Sequence, residues 1–107
     1  MSEQYVLNKP TSLTCPDCGG ALKKVDGGPL TKYECHIGHV LTGQAMLEAQ
    51  AERIEFLLTG SLAMLNEKRE LCREMLKDGV SDADRLQAIL AETTEMAEQL
   101  RAFLNQH

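Results

Sequence analysis

Hydrophobic positions along the chain change their period near residue 42. Beyond that point apolar or small residues recur at Leu47, Ala51, Ile54, Leu58, Ser61, Leu65 and Cys72, with Met75 and Leu76 at the end. This helical, heptad-like spacing predicts one long helix over 43–77, with Thr42 as its N-cap. Gly79 suits the left-handed residue after a helix, and Val80 could pack back on Met75. Ser81 then reads as the next N-cap, because Ser81-x-x-Asp84 resembles a capping box. A second helix over about 82–105 follows the stripe Leu86, Leu90, Thr93, Ala97, Leu100 and Leu104, flanked by Ile89, Met96 and Phe103.

A short loop between two helices predicts an antiparallel hairpin. Pairing Lys77 with Asp82 brings Leu104 near Glu55 and leaves residues 43–54 of the first helix unpaired, an overhang of about 18 Å. The segment before it has its own apolar residues to bury: Leu13, Leu22, Val25, Leu30, Tyr33, Ile37 and Val40. That segment is expected to pack on or near the overhang. Gly60 lies within the first helix, between Thr59 and Ser61, at a cost of about 1 kcal/mol relative to Ala. It implies either a kink or the close approach of another helix.

From Phe56 to Leu65 the first helix is apolar on almost every side: Phe56, Leu57, Leu58, Leu62, Ala63, Met64 and Leu65. Such a helix is expected to be covered from more than one direction. A symmetric dimer forming a four-helix bundle, or another helical partner, would provide the cover. The expected partner-binding residues are Phe56, Leu57, Leu58, Leu62, Met64, Leu65, Leu100 and Phe103.

Residues before Thr42 are of another kind. All three prolines and three of the four cysteines lie there. Ala21–Val25 and Leu30–Glu34, joined by the turn Asp26-Gly27-Gly28-Pro29, predict a β-hairpin. Cys15-Pro16-Asp17-Cys18-Gly19-Gly20 precedes it and Cys35-His36-Ile37-Gly38-His39 follows it. A hairpin returns the chain, so the two groups meet at one end. Two cysteines separated by two residues can both turn inward from one tight loop, and this spacing is that of a zinc ribbon.

The predicted metal ligands are Cys15, Cys18, Cys35 and His39, holding one structural Zn2+. Cys35 and His36 are adjacent and would rarely converge on one ion, whereas Cys35-x3-His39 can turn at Gly38. Zinc is the expected metal for three cysteines and a histidine. Four good ligands close the coordination sphere, and Glu34, which precedes Cys35, reads as a solvated strand residue rather than a general base, so no catalytic residue is assigned. Cys72, on the helical stripe, reads as a small core residue.

Composition narrows the picture further. The chain has 107 residues, with aromatics at 4% and no Trp. Leu, Met, Ile and Ala must fill the core, which favours helices. No run approaches the roughly 20 apolar residues of a membrane span, and the first residues lack a signal-peptide core, so a cytoplasmic protein with reduced cysteines is expected. Net charge is −5. Residues 1–42 are balanced, with Lys9, Lys23, Lys24 and Lys32 against Glu3, Asp17, Asp26 and Glu34, so the acidic excess lies in residues 43–107. An acidic chain without a basic stripe is a poor nucleic-acid binder.

Together these readings predict a small α+β protein: an N-terminal arm (1–12), a zinc ribbon with two knuckles (13–42), and a long antiparallel two-helix hairpin (43–107). The run from Leu13 to Leu71 resembles the zinc-ribbon-plus-helix tail found after the catalytic domain of some chemotaxis CheB-type methylesterases. The resemblance rests on Thr14-Cys15-Pro16-Asp17-Cys18-Gly19-Gly20, Tyr33, Cys35-His36-Ile37-Gly38-His39, Leu47, Ala49-Gln50-Ala51-Glu52 and the Leu-rich helix. A Trp expected near Thr59 is missing. The resemblance implies bacterial origin and a link to chemotaxis-like or two-component signalling, without the esterase activity. A non-enzymatic, zinc-stabilised interaction module is therefore expected. A nucleic-acid-binding or transcription accessory ribbon and a metal or redox sensor are the alternatives.

Overall fold

The computed structural model describes Tyr5, residues 7–79 and residues 82–106. The chain forms two compact units, Met1–Glu52 and Arg53–His107.

In the first unit, β1 (Leu13–Thr14), β2 (Ala21–Val25), β3 (Lys32–Cys35) and β4 (Val40–Thr42) make one antiparallel sheet in chain order. The expected hairpin is its centre, with Leu22 opposite Cys35 and Lys24 opposite Tyr33. The knuckle segments extend it on both sides, where Leu13 pairs with Leu22 and Tyr33 with Leu41. Side chains alternate across a sheet, so one face carries Leu22, Cys35 and Tyr33. On that face Cys15, Leu22, Cys35 and Met46 are buried, with Leu13, Tyr33 and Leu41 packed around them.

Met46 belongs to α1 (Gly43–Lys77), which follows β4 without a loop. The Thr42 hydroxyl caps it, accepting the Ala45 N–H at 3.1 Å. The start of the helix thus closes the ribbon core, but not through the predicted stripe. Met46 is buried, whereas Leu47 is exposed. The strand entering the helix directly sets this rotation. Leu30, Ile37 and Val40 are also exposed, contrary to expectation. Leu30 sits in the β2–β3 turn and Ile37 at the knuckle tip, where the chain reverses over too few residues to bury them.

In the second unit, the rest of α1 is followed by α2 (Ala83–Gln106). Cys72, Leu86, Thr93 and Ala97 are buried there, while Leu58, Leu62, Leu65, Leu90, Leu100 and Leu104 are half-buried. Leu62 takes the inward place predicted for Ser61. The half-buried Arg69 donates from Nε to the Thr94 hydroxyl at 2.9 Å. α1 passes through Gly60 as unbroken helix.

Gly79 ends α1 with φ +73°. The Val80 contact and the Ser81 cap predicted from sequence lie outside the described residues. Asp82 is the observed N-cap of α2. Its carboxylate accepts the Arg85 N–H at 3.3 Å, and its carbonyl accepts the Leu86 N–H at 3.2 Å. The predicted start of the second helix therefore moves from residue 82 to 83.

Candidate metal centre

Each knuckle is a tight turn closed by its own backbone. The Cys15 carbonyl accepts the Gly19 N–H at 2.9 Å, and the Cys35 carbonyl accepts the Gly38 N–H at 3.1 Å. The Cys15 N–H reaches the Gly20 carbonyl at 2.7 Å, and the Cys35 N–H reaches the His39 carbonyl at 3.0 Å. Gly19 and Gly38 leave these turns at φ +77° and +96°, a conformation that costs other residues strain. Both knuckles thus roll their side chains toward the same point.

All four predicted ligands meet there. One ligand atom from each of Cys15, Cys18, Cys35 and His39 lies within 4.8 Å of the others. The Cys18 and Cys35 sulfurs are 3.7 Å apart, and His39 Nδ1 is 3.4 Å from the Cys35 sulfur and 3.6 Å from that of Cys15. A tetrahedral ion with Zn–S of about 2.3 Å and Zn–N of about 2.05 Å gives edges of about 3.8 Å for S···S and about 3.6 Å for S···N. The observed separations match these edges and are far longer than a disulfide bond of about 2.05 Å.

The site's electrostatics are compatible with a bound cation. Burial opposes ionisation of Cys35, but the backbone groups of Ile37 and His39, with the Cys18 and Cys15 side chains, outweigh it and bring the thiol down to about 6. The His39 N–H itself donates to that sulfur at 3.3 Å. Cys15 is likewise lowered: burial opposes its thiolate, while Cys18 and Asp17 backbone groups and the His39 ring favour it. Cys18 moves the other way. The Gly20 backbone favours its thiolate, but burial and the neighbouring Cys15 and Cys35 side chains oppose it and prevail. Three sulfurs this close cannot all ionise comfortably without positive charge between them. The sulfur contacts raise His39, chiefly that with Cys15 and against burial, but an imidazolium has no lone pair to share with an ion.

His36 is not among the four converging residues. Its ring lies against Gly20, where an added Cβ would come within 2.6 Å of the ring's Cε1. Cys72 is buried in the other unit, as its place on the helical stripe implied. Sequence reasoning missed Met46, which lies under the site in the same core as Cys15 and Cys35. Its signal was the absence of a loop between the second knuckle and the helix.

Of the expected partner-binding residues, Phe56, Leu57, Met64 and Phe103 are exposed, and Leu58, Leu62, Leu65 and Leu100 are half-buried in the hairpin unit. Fold and site together define a four-stranded ribbon with a three-cysteine, one-histidine cluster able to hold one metal ion. Compared with known proteins, the chain matches no family model, no curated protein and no solved structure. Among the described residues, no helix is long and apolar enough to cross a membrane.

Proposed function

We propose that this protein is a non-enzymatic, zinc-braced interaction module that presents a helical hairpin to a protein partner. The observation that carries the reading is the convergence of four side chains suited to one ion within 4.8 Å, three of their separations lying near tetrahedral edges. With all four positions filled by side chains, no coordination position is left for substrate or water, as a structural site requires. The ion then fixes the fold of the ribbon, and the exposed apolar side chains of the hairpin do the binding. The motif resemblance to the tail of CheB-type methylesterases supports a setting in bacterial chemotaxis-like or two-component signalling in the cytoplasm. The ribbon is poorly suited to nucleic acid, because Lys23 lies opposite Glu34 in the sheet and the helices are acidic.

Metal analysis of the native protein tests the reading, with one zinc per chain expected. Cobalt substitution probes whether the site is closed. The cobalt protein should show a tetrahedral thiolate spectrum that added azide leaves unchanged. A spectrum that shifts with azide would reveal an open position and overturn the structural assignment. Substoichiometric zinc, lost under mild peroxide, would favour a metal or redox sensor. The observation behind that second reading is Cys18, the exposed ligand thiol and the one whose ionisation is opposed.

A further inference from the structure

The hairpin unit carries an open apolar groove that includes Phe56, Leu57, Gly60, Met64, Met96 and Leu100. Gly60 is its least expected member. A glycine inside a helix is destabilising. Here it serves no turn, and a Cβ added at this position would meet nothing within 4 Å. Among the described residues nothing uses the missing side chain, so the space it leaves suits another backbone coming close.

Residues on either side of Gly60 are complementary to one another. Phe56 and Met64 lie four positions before and after it, and Arg53 and Glu67 lie seven before and after it. In a two-fold contact, residue i meets j and j meets i. We propose that a second copy of this chain occupies the groove, with α1 antiparallel to α1 and the two-fold axis at Gly60. Each Phe56 then faces the partner's Met64, beside Met96 and Leu100, and each Arg53 faces the partner's Glu67. A parallel pairing would instead set Arg53 against Arg53 and Glu67 against Glu67.

The amount of apolar surface agrees with this occupant. Phe56 is 65% exposed, Met64 63%, Leu71 57%, Leu57 50% and Met96 49%. Together these side chains leave roughly 500 Å2 open to solvent, at the upper end for a monomer's largest patch. The apolar share of a standard ~800 Å2 interface face is about the same. In the single chain Arg53 lies 5.4 Å from the Phe56 ring centroid, so the cation and the ring are already side by side.

The inference rests on the interaction-module reading and names its partner. Sedimentation of the full, metal-loaded chain across a concentration series tests it, and a dimer is expected. Gly60→Leu should improve helix content yet weaken the dimer at least about tenfold, because the new side chain fills the crossing point. Arg53→Glu should weaken it about fivefold through like charges, and adding Glu67→Arg should restore it to within about threefold of the parent. A monomer at every concentration overturns the proposal, as does a dimer indifferent to Gly60→Leu or a double variant no better than Arg53→Glu alone. Zinc content measured on the same samples separates the two readings. Full zinc with a monomer removes only the dimer, whereas absent zinc removes the module reading itself.

Discussion

The ribbon unit and the hairpin unit face the same shortage of large aromatic side chains and answer it differently. In the ribbon, two of the four buried core residues, Cys15 and Cys35, are also candidate metal ligands. Its apolar core is too small to hold a module of this size. The hairpin buries Cys72, Leu86, Thr93 and Ala97, mostly small side chains, flanked by half-buried leucines. With an ion bound as proposed, one unit would concentrate its stability at a point, and the other spreads it over a length. The ribbon should therefore fail all at once and the hairpin by increments.

The largest effect should follow metal removal. A structural zinc site supplies about 10–16 kcal/mol of apparent binding energy, so a strong chelator, or Cys15→Ser, should abolish NMR dispersion from β1 to β4. Helical circular dichroism from the hairpin should persist. A ribbon that stays dispersed without metal would erase the contrast. Next in size is Leu86→Ala, which should cost about 2–4 kcal/mol in a denaturant titration and leave metal content unchanged. Smaller again, Met46→Ala should destabilise the metal-loaded ribbon by about 2 kcal/mol. Leu47→Ala, one position along but exposed, should stay within about 0.5 kcal/mol. Equal effects would show that the helix meets the sheet on another face.

Cap removal is finer still. Asp82→Ala should lower hairpin stability by about 1 kcal/mol, read from the denaturation midpoint, without touching the ribbon. The smallest effect concerns Glu98, whose carboxyl the Arg101 guanidinium holds below its ordinary value through a 2.8 Å ion pair. Because the folded value is depressed, the pair stabilises above the ordinary carboxylate range and is lost as pH falls through the folded value. Both side chains are more than half exposed, so Glu98→Gln should leave the melting temperature at pH 7 unchanged.

The two units also differed in how far their sequences could be read. Both helices were legible to within about a residue, because a 3.6-residue period repeated over many turns is hard to mistake. The same period does not resolve a rotation of one position, and for that reason Leu47 was expected inside where Met46 is found. The clustering of Cys15, Cys18, Cys35 and His39 was legible, since two-residue and three-residue spacings leave few ways to converge on a point. The strands β1 and β4 were not, as segments of two and three residues carry no alternation to detect. Asp82 was hidden by its neighbour, because Ser81 is an equally good capping residue and only backbone geometry chooses between them.

The hydrogen bond from Arg69 to Thr94 has a consequence for alignment. A seam of similar leucines is tolerant of sliding: moved by one helical turn, about 5.4 Å, one leucine replaces another at little cost. A half-buried guanidinium is less forgiving. In any shifted register it would lose its hydroxyl acceptor and face apolar neighbours. Arg69 and Thr94 thus act as a key and its slot, adding little to the strength of the hairpin while favouring the register in which they meet.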